Sequence, residues 1–325
     1  MQNGENKNLT NNEKCIGRIC EIQKNSFTIR FENRELPGKL KGSFFKEGAP
    51  VPVVGDYVSF VYNEAGDSVI THISERKSYL TRPDQSGHSI GFVKNMMVQA
   101  MVANIDYAFI VTSLNGNYNY NRIARYVSTV LQGGATPIVI LTKADLCNNP
   151  GRYITEVEGL SDKVKVHAIS ALYGIGLEEL EPYCIPGTTI ALIGSSGAGK
   201  STLINALAGR DIMKTSAIRE EDFKGRHTTT HRQMIVLDNG VSVIDTPGMR
   251  ELGLCEVDEG ISDTFEDITE LSRCCRFSNC RHESEPGCAI KEALESGTLS
   301  TDRYMLYKSL LRENRSTSAL RRKKN

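Results

Sequence analysis

Residues 189–201 read TIALIGSSGAGKS, and this stretch decides the fold of the chain. Four of its first five residues are apolar and predict a buried strand, and the remainder matches the G-x-x-x-x-G-K-S pattern that opens a helix. Glycines let backbone N–H groups approach a phosphate, and a helix N-terminus adds partial positive charge. The succession of strand, loop and helix therefore predicts a nucleotide phosphate site. Its expected residues are Gly194, Ser195, Ser196, Gly197, Ala198, Gly199, Lys200, Ser201 and Thr202.

Two side chains of this loop have separate expected tasks. Lys200 should reach the β- and γ-phosphates, and the hydroxyl of Ser201 should bind Mg²⁺ together with the nucleotide. A flexible glycine loop without a function is disfavoured, because an apolar strand and a helix flank the motif.

Apolar runs alternate with helical patterns upstream of the loop. Residues 107–112, 137–141 and 163–168 predict strands, and residues 120–131 have helical spacing. Strands that alternate with helices predict a parallel sheet covered on both faces. The fold class expected for this region is therefore an α/β P-loop domain.

A second motif of the phosphate site is predicted after the P-loop, at the end of a hairpin. The tripeptide Asp-Asn-Gly at residues 238–240 lies between two apolar runs, which is a strong hairpin signal. Asp245 ends the second run and is placed to hold Mg²⁺ through water. Gly248, three residues later in the string DTPG, can offer its backbone N–H to the γ-phosphate.

The loop before this hairpin contains GRHTTT at residues 225–230. A threonine in such a loop can give Mg²⁺ a hydroxyl and sense the γ-phosphate, as a switch loop does. Thr229 is the expected ligand, and Thr228 and Thr230 are alternatives. An ordinary polar loop is the competing interpretation.

The strings TKAD and SA, each at the end of a predicted strand, indicate a site for a guanine base. A carboxylate in the TKAD pattern accepts from guanine N1–H and N2–H₂ and would repel adenine, so GTP is expected rather than ATP. The lysine stem covers the base plane, and a backbone N–H of the SA pair can cap guanine O6. The residues of this base site are Thr142, Lys143, Ala144, Asp145, Ser170 and Ala171.

The order of these strings along the chain is unusual. A Ras-like GTPase runs P-loop, switch threonine, DxxG, [NT]KxD and SA, whereas TKAD and SA precede the P-loop here. The sheet can still close, because residues 183–187 join the helix after SA to the P-loop strand. We therefore predict a circularly permuted GTPase domain whose DTPG string leads directly into C-terminal helices, of which two are expected at residues 289–295 and 304–313.

The segment at residues 15–77 predicts a small β-barrel. Short runs at residues 26–31, 57–62 and 68–73 alternate apolar and polar side chains between Gly- and Pro-containing turns. About five strands of this kind suit an OB-type barrel, a fold that binds oligonucleotides. An SH3-like barrel, or a sheet that only docks on the rest, is the alternative.

A cysteine and histidine cluster near the C-terminus predicts a metal centre. The spacing C-x4-C-x-H-x5-C supplies three thiolates and one imidazole, a closed tetrahedral set that suits structural Zn²⁺ rather than catalytic Zn²⁺. The expected ligands are Cys275, Cys280, His282 and Cys288. Cys274 could replace Cys275, and buried thiols without a metal are the competing interpretation.

Composition and charge set the remaining expectations. The 325 residues include 39 basic and 39 acidic side chains and nine cysteines, without an apolar run of the roughly 20 residues that a membrane helix needs. Residues 1–12 are polar and carry no signal of secretion, so we expect a cytoplasmic protein with reduced thiols and no membrane partner. Eight basic residues and one acid follow position 302, a tail that either touches nucleic acid or is a solvated helix end.

Taken together, these motifs resemble the small-ribosomal-subunit-dependent GTPase A family, the RsgA-like proteins. The resemblance covers residues 15–313 and rests on VGD, ANID, TKAD, GSSGAGKST, GRHTTT, DTPG and EPGC. It implies an α/β P-loop GTPase domain, circularly permuted, with an N-terminal OB-like β-barrel and a C-terminal α-helical zinc-binding domain. The expected boundaries are a disordered leader at 1–14, the barrel at 15–78, the GTPase domain at 79–252 and the zinc domain with its basic tail at 253–325.

The resemblance also implies a function and partners. A GTP hydrolase is expected that acts in late maturation of the small ribosomal subunit, binds rRNA, is stimulated by the subunit and is released or reset by hydrolysis, with one structural Zn²⁺ and Mg²⁺ as cofactors. We expect a monomer. An RNA- or ribosome-binding protein with a purely structural nucleotide site is the alternative, which the intact Lys200, Ser201, Asp245 and Asp145 disfavour.

Two positions depart from the usual GTPase pattern. Thr142 stands where Asn is commoner, which is expected to weaken a contact with the P-loop. Met249 follows DTPG where Ras has a water-orienting Gln, so hydrolysis by the chain alone should be slow. His227 is the nearest replacement, and the resemblance implicates a histidine at this place as the catalytic residue; contact with rRNA is its alternative role.

Overall fold

The computed structural model describes residues 10–23, 26–45, 51–83, 98–213, 232–245 and 257–322 of the chain. Five strands close a barrel at the N-terminal end. The strands are β1 Lys14–Gln23, β2 Ser26–Phe31, β3 Arg34–Leu40, β4 Tyr57–Val61 and β5 Ser68–Ile73. They pair in the order β1-β2-β3-β5-β4, and β4 pairs with β1 to complete the circle. Only the β3–β5 pair is parallel. Alternate residues such as Ile19, Ile29 and Phe60 fill the interior, which confirms the OB-like barrel.

A small ribbon that the sequence analysis did not predict follows the barrel. It consists of β6 Tyr79–Pro83 and β7 Val98–Ala103, paired antiparallel. The hydroxyl of Ser78 accepts from the backbone N–H of Ile105 at 2.8 Å and thereby fixes the base of the ribbon on the next domain.

Within the described residues, the GTPase sheet contains six strands in an order that confirms the permutation. They are β8 Tyr107–Ser113, β9 Thr136–Thr142, β10 Lys165–Ala168, β11 Thr189–Ile193, β12 Arg232–Val236 and β13 Ser242–Asp245. The spatial order is β10-β9-β8-β11-β13-β12, parallel except for β12. The P-loop strand β11 thus lies between β8, which precedes it in the chain, and β13, which follows it.

Helices cover both faces of this sheet. They are α1 Tyr120–Gln132, α2 Pro150–Glu158 and α3 Lys200–Ala208, and Leu177–Tyr183 forms a 3₁₀ helix where a short helix was expected. Ile123 and Val127 of α1 pack on one face of the sheet, and Leu203 and Ile204 of α3 pack on the other. Successive strand residues point to opposite faces, so each strand contributes to both cores and reads as a continuous apolar run.

The barrel continues the GTPase sheet instead of standing apart from it. β1 pairs antiparallel with β12, with Glu21 opposite Gln233 and Ile22 opposite Arg232, which makes one sheet of eleven strands. Arg18 of the barrel also donates to the hydroxyl of Thr189, at the start of the P-loop strand, at 2.9 Å.

The C-terminal part, as described from residue 257 to residue 322, contains four helices, namely α4 Asp258–Thr264, α5 Glu266–Arg273, α6 Ala289–Glu295 and α7 Thr301–Arg322. Helix α4 lies against α1 so closely that a Cβ added to Gly260 would stand 1.9 Å from the carbonyl oxygen of Ser128. Arg303 of α7 forms two hydrogen bonds to the carboxylate of Asp267, at 2.6 and 2.7 Å, and one to the carbonyl of Gly159 in the GTPase domain, at 3.0 Å. The C-terminal helices are therefore joined firmly to the GTPase domain.

Helix α7 is longer than the predicted 304–313, because it includes most of the basic tail. Among the helices of the described residues, we find none with the length and apolar character needed to span a bilayer.

Candidate nucleotide site and metal centre

The P-loop leaves β11 at the carboxyl edge of the sheet and begins α3 at Lys200. Gly194 has a φ of +151°, and a Cβ there would lie 2.2 Å from the carbonyl oxygen of Val111, so no larger residue fits. The ammonium of Lys200 donates to the carbonyl oxygens of Gly194 and Ser195 at 2.7 and 2.8 Å. Ser196 and Gly197 are exposed at the turn of the loop, and Ser201 and Thr202 are half-buried in the first turn of α3.

Thr142 joins the base-site string directly to the P-loop. It is the last residue of β9, only 2% exposed, and its hydroxyl donates to the carbonyl oxygen of Ala198 at 2.6 Å. Gly199 also approaches this side chain, since a Cβ there would lie 3.3 Å from the Thr142 hydroxyl oxygen. The P-loop contact that was expected to be weak is thus a short hydrogen bond.

The two base-site strings lie side by side. Lys143 adopts the left-handed conformation, with φ of +57°, and turns the chain so that Asp145 is exposed beyond the sheet edge. The backbone N–H of Ala144 donates to the carbonyl of Ile169 at 3.0 Å, which places TKAD next to Ser170 and Ala171. Among the described residues, the buried hydroxyl of Ser170 has no hydrogen-bond partner.

Asp245 reaches the same edge from the other side of the P-loop strand. It ends β13, is 8% exposed and lies opposite Leu192 of β11 in the parallel register. The sheet thus brings TKAD, SA, the P-loop and Asp245 to one edge, although they are up to about a hundred residues apart. His227, Thr228, Thr229, Thr230, Gly248 and Met249 lie outside the described residues.

The four predicted metal ligands converge in the C-terminal part. The ligand atoms of Cys275, Cys280, His282 and Cys288 all lie within 4.8 Å of one another. His282 Nδ1 lies 3.5 Å from Cys275 Sγ and 3.4 Å from Cys288 Sγ, and the two sulfurs are 4.0 Å apart. Around tetrahedral Zn²⁺ with bonds of about 2.3 Å to sulfur and about 2.0 Å to nitrogen, these separations are about 3.5 and about 3.8 Å. The set therefore fits a zinc ion, and the exposed Cys274 stands outside it.

A carboxylate to which the sequence motifs assign no role stabilises the loop that carries this cluster. Glu285 accepts hydrogen bonds from the backbone N–H groups of Arg281, Glu283 and Ser284, at 2.9, 3.0 and 3.0 Å. These bonds lower the pKa of Glu285 to about 2, because they stabilise its charged form. The loop holds His282 at a φ of +61°. Burial lowers the pKa of the His282 imidazole and favours the neutral ring that a metal needs.

Comparisons with known proteins agree with this architecture. A chain from Listeria innocua described as small ribosomal subunit biogenesis GTPase RsgA 1 is 44% identical over 299 residues, which is 91% of this chain and 83% of that protein. A protein from Methanosarcina acetivorans with the description small ribosomal subunit biogenesis GTPase RsgA is 39% identical over 298 residues, 91% of this chain and 79% of its own.

Two solved structures are similar to this chain over most of its length. The crystal structure of YjeQ from Thermotoga maritima matches with a TM-score of 0.67 and 27% identity, over 92% of this chain and 99% of that one. YloQ, described as a circularly permuted GTPase, matches with a TM-score of 0.66 and 25% identity, over 95% and 98%. Residues 73–255 match the family described as RsgA GTPase. This match, the similarity to these relatives and the permuted sheet together show that the chain belongs to the RsgA GTPase family.

Proposed function

We propose that this chain is a GTP hydrolase that acts in the biogenesis of the small ribosomal subunit. The observation that carries the proposal is the hydrogen bond from Thr142 to the carbonyl of Ala198, because it ties a guanine-type loop to a phosphate loop across a permuted sheet. The names of its relatives supply the cellular process.

The base loops account for selection of guanine. Asp145 lies exposed beyond the sheet edge, where its carboxylate can accept from guanine N1–H and N2–H₂. Adenine has no such pair of donors, so GTP is favoured over ATP. The stem of Lys143 covers the base plane, and the backbone N–H of Ala171 caps guanine O6.

The phosphate loops account for binding of the triphosphate and for hydrolysis. Lys200 turns from the loop carbonyls to the β- and γ-phosphates, and Gly248 donates its N–H to the γ-phosphate. Ser201, Thr229 and Asp245 would hold Mg²⁺, which neutralises charge on the phosphate oxygens when it is bound. His227 is the catalytic residue in this proposal, orienting the attacking water as a neutral imidazole.

The cysteine and histidine cluster would hold one structural zinc ion. All four positions of a tetrahedral site come from the protein, so no position remains open for a substrate. The cluster lies between the short helices α5 and α6 in the chain, and a metal there contributes to their folding.

The partners follow from charge and from the family. The barrel and the basic helix α7 bind rRNA phosphates, and GTP hydrolysis releases or resets the protein on the small subunit. It acts as a monomer in the cytoplasm and needs no membrane.

A turnover assay tests the proposal. Phosphate release from GTP is measured with and without purified small ribosomal subunits, and ATP serves as the control nucleotide. We expect slow hydrolysis of GTP alone, strong stimulation by the subunits and no turnover of ATP. Binding of subunits and GTP without any turnover would instead support an RNA-binding protein with a structural nucleotide site.

The same assay with His227→Ala tests the catalytic assignment. Loss of stimulated hydrolysis, with GTP affinity and subunit binding retained, is the expected result. Full stimulated activity would remove His227 from the mechanism and leave the water-orienting group to the ribosome.

A further inference from the structure

A loop that carries none of the five GTPase strings contacts the P-loop. The loop follows β8 at residues 114–119, and the side-chain nitrogen Nδ2 of Asn117 lies 2.8 Å from Oγ of Ser195. Both residues are half-buried, which partly shields the hydrogen bond from water. The two residues are 78 positions apart in the chain.

The orientation of the Asn117 amide follows from its other neighbour. Arg122, in the first turn of α1, points its Nη2 at the side-chain oxygen of Asn117 at 3.0 Å and also at the backbone oxygen of Asn117. A guanidinium only donates hydrogen bonds, so the amide oxygen must face Arg122. The amide nitrogen is therefore the group that faces Ser195, and it donates.

Arg122 is itself held in place. Its backbone N–H donates to the side-chain oxygen of Asn119, which caps α1, at 2.8 Å. The hydroxyl of Thr112 on β8 shares the Asn117 carbonyl at 3.4 Å. The backbone of Asn117 is thus fixed from a strand and from a helix, and its side-chain amide is fixed from the helix by Arg122.

Ser195 connects Asn117 to the lysine of the P-loop. Its carbonyl accepts from the ammonium of Lys200 at 2.8 Å, and its hydroxyl accepts from Asn117. Resting on the proposed function, we infer that Asn117, oriented by Arg122, is a positioning residue that holds the first turn of the P-loop in the form that binds phosphate.

The inference predicts which nucleotides are affected. Asn117 acts through the loop backbone and not through the γ-phosphate, so its loss weakens the binding of GDP and the binding of GTP equally. An ordinary hydrogen bond of this kind corresponds to about a two- to tenfold change in affinity.

The experiment compares Asn117→Ala with Asn115→Ala, an exposed residue two positions away on the same loop. Dissociation constants for GDP and for a non-hydrolysable GTP analogue are measured on the full chain. Ser195→Ala and the double variant complete a double-mutant cycle. Asn117→Ala should raise both constants about two- to tenfold, Asn115→Ala should leave them unchanged, and the double variant should be no weaker than the weaker of the two single variants.

The outcomes separate the two proposals. If the unaltered chain binds neither nucleotide, the proposed function fails. If the chain binds them and Asn117→Ala behaves as Asn115→Ala does, or if the losses in the cycle simply add, the positioning role is refuted. Should Asn117→Ala fail to fold, Ser195→Ala removes the same hydrogen bond by deleting the acceptor. It must then lower the affinity for GDP and for the GTP analogue by the same factor.

Discussion

Replacing Thr142 by Val tests the connection between the base loop and the phosphate loop. The change keeps the shape of the side chain and removes only the hydroxyl that donates to the carbonyl of Ala198 at 2.6 Å. A second carbonyl, that of Thr112, lies 3.3 Å from the same hydroxyl, but the shorter contact holds the proton. Because Thr142 is 2% exposed, water does not replace the lost donor without a rearrangement of the loop.

The size of the effect follows from the burial. A buried acceptor left without its donor costs about 1–3 kcal/mol. The variant P-loop can lower this cost by turning the Ala198 carbonyl towards water, but a nucleotide must then restore the original conformation. At about 1.4 kcal/mol for each factor of ten, the dissociation constant for GDP should rise by about 5- to 150-fold.

The assay is equilibrium binding of GDP, with Thr136→Val as the matched control. Thr136 begins the same strand at the opposite edge of the sheet and is exposed, so the same chemical change there should leave GDP affinity unchanged. If Thr142→Val folds and binds GDP within twofold of the unaltered chain, this hydrogen bond does not hold the P-loop in its binding form.

Three further perturbations address the base, the metal and the C-terminal helices. Asp145→Asn should shift preference from guanine to xanthine nucleotides, because the amide offers a donor where the carboxylate only accepts; unchanged affinities for GDP and XDP would show that the base site lies elsewhere. Cys280→Ser should lower the zinc content, measured by elemental analysis, from about one per chain and destabilise the C-terminal helices while GDP binding survives. Well under one zinc in the unaltered chain would contradict the metal assignment. Asp267→Asn should lower the unfolding midpoint at pH 7, since hydrogen bonds and charge from Arg303 outweigh burial and hold the pKa of Asp267 below its ordinary value. A carboxyl group whose pKa is lowered by folding stabilises the fold at pH values above its unfolded pKa of about 3.9, and this stabilisation is lost as the pH falls through its folded pKa. The difference in unfolding midpoint between Asp267→Asn and the unaltered chain should therefore vanish in acid. A difference that persists in acid would show that the Arg303–Asp267 pair is not its source.

Much of the fold was predictable because it is encoded locally. The strands Ser26–Phe31, Ser68–Ile73 and Thr189–Ile193 and the helix Ala289–Glu295 agree with the sequence prediction to the residue. In each case the spacing of apolar side chains or a flanking turn marks the element within a few residues.

Elements whose stability comes from distant partners were not predictable in the same way. Strands β6 and β7 are separated by 14 residues in the chain, and β6 contacts α1 while Val102 of β7 pairs with Val54 before β4. Helix α7 extends beyond its predicted end, and its residues Arg303 and Glu313 form hydrogen bonds with partners on α5 and α1. Such partners are invisible to a pattern confined to one window of the chain.

The sequence by itself predicted the chemistry of this protein. The phosphate loop, the guanine string, Asp245 and the Cys-Cys-His-Cys set are each recognisable because a particular backbone conformation or ligand requires those residue types at that spacing. Their order along the chain also determined that the GTPase domain is permuted.

Only the tertiary structure decided how these pieces support one another. The pairing of β1 with β12, the bond from Thr142 to Ala198 and the approach of Asn117 to Ser195 each join residues more than fifty positions apart. No local preference encodes such contacts, since any strand edge or amide in the chain could make them. The packing of the sheet and its helices selects one partner for each group, because buried polar groups must find partners at a fixed distance and direction.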